Sequence, residues 1–142
     1  MAQLAPDAQW LEIAFRPSHL VSPDGQREPL DRLHGARIAA FCGIGNPAAF
    51  RRTLEQCHYD VAQWNEFPDH FAYDQSAITS LTTSWDSSGV EAVACTQKDL
   101  VKLDAAALPR IPVWAVAIEM RIMKGEPELI AALERISAAG GC

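Results

Sequence analysis

Short apolar runs of strand length recur along this sequence, and each gives way to polar residues. Ile38 to Cys42 is almost wholly apolar and stops at Gly43, Val90 to Cys95, apolar but for Glu91, stops at Thr96, and Val113 to Ile118 forms another such run. Unbroken apolar runs suit strands covered on both faces, because a strand with one wet face would alternate. Tyr59 to Trp64 reads as a further strand. Segments with helical spacing lie between and after these runs. Asn46 followed by Pro47 marks a helix start, since the Asn side chain can accept from an orphan N–H and Pro at the first helical position sacrifices no hydrogen bond; Phe50, Leu54 and Cys57 then share a face. A second helix is expected from about Asp74, with Ile78, Leu81 and Trp85 on one face and Ser87-Ser-Gly89 at its end. A last helix carries Leu129, Ile130, Leu133 and Ile136 on one face, with Gly140-Gly141 past its end.

Strands alternating with amphipathic helices imply βαβ units. The expected fold is therefore α/β: a small three-layer α/β/α Rossmann-like domain with a mainly parallel sheet, spanning residues 36–142. Residues 1–35 have a different texture. Trp10 to Phe15 alternates like a strand, and Pro17, Ser22-Pro-Asp-Gly25 and Pro29 punctuate the stretch after it as turns. An extended arm or β-hairpin is expected there, ahead of the α/β domain.

Charge and apolar content exclude several classes. The 142 residues carry 12 Lys+Arg against 18 Asp+Glu, a net charge of −6, with no basic run. That balance argues against nucleic acid and against a polybasic membrane patch. The longest apolar stretch, Ile111 to Ile118, falls well short of the roughly 18 residues of a spanning helix, so no transmembrane segment is expected. No basic region precedes an apolar stretch at the N-terminus, and a secretory leader is not expected either. Cys42, Cys57, Cys95 and Cys142 show no CxxC spacing and read as reduced cytosolic thiols.

In open α/β sheets ligands bind beyond the carboxyl ends of the strands, and three polar motifs fall there. Gly43-Ile-Gly-Asn-Pro47, read through Ala48, fits G-x-G-x-x-A opening a helix. It could bring backbone amides to a pyrophosphate, or simply turn the chain sharply into a packed helix. Asp69-His70 could supply a general base with an orienting carboxylate, or a cap and turn contact. Lys98 and Asp99, in Thr96-Gln-Lys-Asp99, could meet a phosphate and a ribose or metal, or form a solvated ion pair. His19, His34 and His58 are scattered without the spacing of a metal set, and Trp10, Trp64, Trp85 and Trp114 read as core residues.

Taken in order, Pro29-Leu30 before Gly35, Ala40-Phe-Cys-Gly-Ile-Gly-Asn-Pro47 with Phe50, Phe67-Pro-Asp-His70 with Tyr73, and Thr96-Gln-Lys-Asp99 with Lys102-Leu103 resemble the C-terminal domain of the tetraacyldisaccharide 4'-kinase family. The resemblance spans about Trp10 to Met120. It implies a P-loop kinase of lipid A biosynthesis that transfers the ATP γ-phosphate to the 4'-hydroxyl of a tetraacyldisaccharide 1-phosphate, at the cytoplasmic face of the inner membrane. No G-x-x-x-x-G-K-[ST] occurs in the sequence, so the element that cradles the phosphates would belong to an N-terminal P-loop domain outside this chain. ATP and Mg²⁺ would serve the full-length enzyme; the fragment alone would hold neither and be inactive.

By the same resemblance His70 is catalytic, reaching across an interdomain cleft toward an aspartate of the other domain, and Asp69 orients the imidazole or faces the metal. Gly43, Gly45, Asn46, Thr96, Lys98 and Asp99 are implied as cofactor-binding positions around the cleft, and the arm Trp10 to Pro29 as the linker between domains. Two positions depart from the family pattern: Phe71 stands where many members have a second His, and Gln97 where many have Glu. The competing expectation is a Rossmann-like module that binds a nucleotide at Gly43 to Ala48 without catalysis.

Overall fold

The structure, a computed structural model, describes residues 11–108 and 110–140. Six strands form one sheet in the order β2-β1-β6-β5-β3-β4. They are β1 (Glu12–Val21), β2 (Arg27–Glu28), β3 (Arg37–Cys42), β4 (Asp60–Glu66), β5 (Ala92–Thr96) and β6 (Val113–Lys124), with helices α1 (Pro47–Gln56), α2 (Gln75–Ser88), α3 (Gln97–Leu100) and α4 (Glu126–Gly140). β3 pairs in parallel with β4 and β5, and β5 in parallel with β6. The sheet is thus mainly parallel, as the apolar runs require. Contacts divide the chain into two compact units, Pro17–Ile118 and a smaller one of Met1–Arg16 with Glu119–Cys142.

In the larger unit, alternation along each strand sorts the core onto two faces. Ile38, Ala40 and Cys42 of β3, with Ala92 and Ala94 of β5, pack with Phe50 and Leu54 of α1. Their neighbours Ala39, Phe41, Val93 and Cys95 point the other way and pack with Ile78, Leu81 and Trp85 of α2. One helix per face makes the three layers. Both helices start where expected: Asn46 accepts from the Ala49 N–H at 3.2 Å, and Asp74 from the Ala77 N–H at 2.8 Å. Gly89 ends α2 in the left-handed conformation, φ 67°, which glycine adopts without strain.

The first strand and hairpin also differ in detail from expectation. Pro17 is not a turn but lies within β1, and the turn after it comes at Ser22, whose N–H donates to the Gln26 carbonyl at 2.9 Å. β2 pairs only with Leu20 and Val21, leaving the Pro17 stretch of β1 without a β2 partner, so a missing N–H breaks no bond on that side. Leu20 is fully buried with Ile38 and Trp114 in the core.

In the smaller unit the apolar pattern is present without burial. β6 runs six residues beyond the expected Ile118, to Lys124. The final helix forms but includes Gly140, a residue expected past its end, and Ile130, Leu133 and Ile136 are 48%, 54% and 68% exposed. Ile13 and Phe15 of β1 and Met120 and Met123 of β6 are exposed as well. An exposed ion pair, Lys124 to Glu12 at 3.8 Å, adds little where water screens it. Of the tryptophans, Trp85 and Trp114 are buried and Trp64 is half-buried, while Trp10 lies outside the described residues. Cys42, Cys57 and Cys95 are buried free thiols, and Cys142 is likewise outside.

Candidate functional site

The crossing of the chain creates the site. From β3 it passes through α1 to β4 on one side, then returns through α2 to β5 on the other side of β3. Connections leaving neighbouring strands in opposite directions open a crevice at their carboxyl ends. The loops after β3, β4 and β5 converge there.

Asp99 joins them. Its carboxylate is 0% exposed. One oxygen accepts from the Gly43 N–H at 3.0 Å and from the Tyr73 hydroxyl at 2.9 Å, and the other accepts from the Thr96 hydroxyl. Thr96 in turn accepts the Asp99 N–H at 3.1 Å and so caps α3. A buried carboxylate is costly unless its oxygens are matched by donors; here three donors serve it. Burial, followed by the hydrogen bond to Asp99, holds the Tyr73 phenol well above its ordinary range, so it remains a donor. Burial first, then the Asp99 and Glu66 charges, push the Cys42 thiol up to about 11. Cys95 is raised by burial, Asp99 and Cys42. Neither thiol is a ready nucleophile.

Gly43 is closely surrounded. A Cβ there would lie 3.0 Å from the Tyr73 hydroxyl, 3.2 Å from the Pro68 carbonyl oxygen and 3.4 Å from the Asp99 carboxylate. The first glycine of the loop is therefore required by protein packing, and its N–H is already given to Asp99. At Gly45, exposed at the surface, a Cβ would meet only Asp69 at 3.5 Å, which is ordinary contact. Asn46 spends its side chain on capping α1. Lys98 is exposed and Asp99 buried, so the solvated Lys98–Asp99 pair is not formed.

His70 stands differently from these residues. Its loop is a tight turn closed by the Phe71 N–H on the Pro68 carbonyl at 3.1 Å. Within it His70 takes φ 62°, in the left-handed region, a conformation that costs a non-glycine residue about 1–3 kcal/mol. His58 shares that sign, φ 59°, but it follows the end of α1, where a left-handed residue is the ordinary helix stop. Aromatic packing holds the His70 turn. Phe67 stacks on Phe71 at 4.5 Å between ring centres, and both meet Tyr73 edge-on at 5.5 and 5.1 Å. Phe71, at a position that departs from the family pattern, thereby has a packing role.

The His70 side chain is 85% exposed. Asp69 accepts the His70 N–H at 3.0 Å, and its other oxygen lies 3.7 Å from His70 Nε2. His70, Phe71, Ala72, Tyr73, Asp74 and Lys102 line an open cavity of about 500 Å³. The cavity combines an imidazole able to carry a proton, a carboxylate, an ammonium and aromatic walls. Among the described residues no three His, Cys, Asp or Glu side chains converge in a way that could hold a metal, so these residues alone do not form a complete ligand set for Mg²⁺. No described helix is long and apolar enough to cross a membrane.

Tyr73 and Lys102 gained no role from the residue pattern alone. Thr96-x-x-Asp99 did carry a readable sign, since Thr followed three residues later by an acidic residue is a helix-start pattern. That pattern accounts for the local cap, not for the reach of Asp99 to Gly43 and Tyr73.

Comparison with known proteins adds a context to this geometry. The family model described as tetraacyldisaccharide-1-P 4'-kinase matches residues 2–138. The tetraacyldisaccharide 4'-kinase of Syntrophus aciditrophicus is 36% identical over 108 residues, covering 75% of this chain and 29% of that protein. The one from Bordetella parapertussis is 39% identical over 119 residues, covering 81% and 30%. This chain thus spans about 30% of the length of these relatives. The crystal structure described as the "apo" form of LpxK from Aquifex aeolicus in complex with ATP superposes with a TM-score of 0.62 at 23% identity, covering 95% of this chain and 40% of that one. That likeness concerns the fold.

Proposed function

Because the chain belongs to the tetraacyldisaccharide-1-P 4'-kinase family, we propose that it is the C-terminal part of an enzyme that transfers the ATP γ-phosphate to the 4'-hydroxyl of a tetraacyldisaccharide 1-phosphate in lipid A biosynthesis. The observation that carries this reading is His70, an exposed imidazole on a strained turn beside Asp69 at the rim of a cavity. Strain in a tightly packed turn is a mark of a functional position.

In this reading the attacking 4'-hydroxyl approaches His70, which receives or relays its proton. Asp69 fixes the turn through the His70 N–H and stands near enough to steady the imidazolium that forms. Lys102, on the same cavity, offers a positive charge to a phosphate. In this reading ATP and Mg²⁺ would be bound by a P-loop domain within the part of the relatives' length that this chain does not span. The exposure of large apolar side chains in the smaller unit, Phe15, Ile130, Leu133 and Ile136, is compatible with such a partner. The arm from Trp10 to Pro29 would serve as linker, and the complete enzyme would work at the cytoplasmic face of the inner membrane, where its lipid substrate lies.

A nucleotide module built on Gly43 to Ala48 is disfavoured by one observation. The Gly43 N–H that would greet a pyrophosphate already serves a buried carboxylate, whose charge would repel a phosphate at that point.

The test is His70→Ala in the complete enzyme. General-base contributions amount to about 10²–10⁴ in rate, so kcat is expected to fall by that factor while KM for ATP and the melting temperature stay near wild type. Full kcat in the variant would remove His70 from the mechanism.

A further inference from the structure

We propose that Asp99 is a positioning residue: through its buried carboxylate the loop after β3, the His70 turn and the α3 turn are held in one register, which sets where His70 and Lys102 stand on the cavity. The inference rests on the reading of His70 given above, which it deepens. Two of the three donors come from distant parts of the chain, and the third, Thr96, is local. Gly43 lies 56 residues from Asp99 and Tyr73 lies 26 residues away, yet both donate to the same carboxylate oxygen.

Each donor carries a different part of the site. Tyr73 is a wall of the cavity and is packed edge-on against Phe67 and Phe71, the aromatic residues on either side of the His70 turn. Gly43 lies so close to Pro68, the first residue of that turn, that a Cβ would sit 3.2 Å from the Pro68 carbonyl oxygen. On the other side, the Lys102 N–H donates to the Asp99 carbonyl at 3.1 Å, which ties the second charged residue of the cavity to Asp99 by backbone. Asp99 therefore holds the His70 wall through its side chain and the Lys102 wall through its main chain. It touches neither solvent nor the cavity, so its effect on chemistry passes through these neighbours.

Asp99→Asn is the informative change. One amide oxygen still accepts from Gly43 and Tyr73, and the amide nitrogen can donate to Thr96, whose hydroxyl accepts as well as donates. The charge disappears while the shape remains. Tyr73→Phe is the second variant, removing one donor and leaving the ring packing.

Two measurements test the proposal. In this chain, amide hydrogen exchange is expected to rise at Gly43, across residues 67–74 and at Lys102 in Asp99→Asn, and at the first two in Tyr73→Phe, with α4 unchanged. In the complete enzyme, Asp99→Asn should lower kcat by up to about 10²-fold, the scale of a misplacement near 1 Å, with KM for ATP unchanged. Combining it with His70→Ala should lower kcat no further than His70→Ala alone, because residues acting through one another are non-additive. Unaltered exchange at residues 67–74, or losses that multiply in the double variant, would overturn the proposal. Altered exchange together with a fully active His70→Ala enzyme would uphold the clamp and overturn the catalytic role of His70 instead.

Discussion

The two units of the chain use the same apolar residue types to opposite ends. In Pro17–Ile118, alternating strand residues meet α1 on one face of the sheet and α2 on the other, and Phe41, Leu54 and Trp85 are almost fully buried. In the smaller unit, Phe15, Met120, Leu133 and Ile136 are more than half exposed. A helical stripe specifies a face; burial requires something to cover it. The larger unit contains its own covering layers. The smaller one leaves its large apolar side chains exposed, in a chain that spans about 30% of the length of its relatives.

The largest test of this contrast is truncation of one large apolar side chain in each unit. Trp85→Ala is expected to cost about 3–5 kcal/mol in this chain, the usual cost of emptying a core aromatic site, whereas Ile136→Ala should change stability by less than about 0.5 kcal/mol. Urea midpoints compare them directly. Equal losses would mean that α4 is packed in solution and the contrast is false.

A smaller effect separates the two glycines of the first loop. Gly43→Ala forces a methyl against the Tyr73 hydroxyl, the Pro68 carbonyl and Asp99, and overpacking of this kind costs about 1–3 kcal/mol. Gly45→Ala meets only an ordinary contact with Asp69 and should be near neutral. If both are neutral, the loop yields more readily than the Asp99 clamp allows.

Alkaline pH offers a gentler probe of the larger unit. Burial raises both Tyr59 and Tyr73 above the ordinary phenol range. The unfolded chain therefore releases these protons first, near pH 10, while the folded chain keeps them. Their contribution is fully present below about pH 10 and is lost as pH rises beyond it, so stability should decline there. Tyr73→Phe should flatten part of that decline; a stability curve identical in the variant would contradict the placement of Tyr73.

The smallest effect is kinetic. With Cys42 pushed up to about 11 and Cys95 raised by full burial, both should resist alkylation in the folded chain at pH 8 and react only after unfolding. Rapid native labelling of Cys42 would show that the floor of the crevice is open.

Legibility in the sequence followed the range of the interactions. The run Ile38 to Cys42, the Asn46-Pro47 start and the Asp74 cap are local features whose signals lie within a few residues, and each appears as expected. The two-faced core was readable because period-two alternation within a buried run leaves no other arrangement. Pro17 departs from expectation because its value as punctuation assumes a strand paired on both sides. The extension of β6 past Ile118 carries Glu119 and Arg121 and lacks burial, so hydropathy gave no sign of it. Asp99 shows the limit most clearly. A Thr-x-x-Asp pattern announces a helix cap, yet nothing in the chain says that the same carboxylate meets Gly43 and Tyr73, since that depends on how three loops converge at the carboxyl ends of the strands.

The most direct measurement of the central claim is ATP-dependent phosphorylation of tetraacyldisaccharide 1-phosphate by this chain alone and by the complete enzyme under the same conditions. Positioning and charge neutralisation of the phosphates dominate phosphoryl transfer, and this sequence has no phosphate-cradling loop. The complete enzyme is expected to turn over, and the chain alone to remain at background. Turnover by the purified chain alone would contradict the division of labour proposed for it.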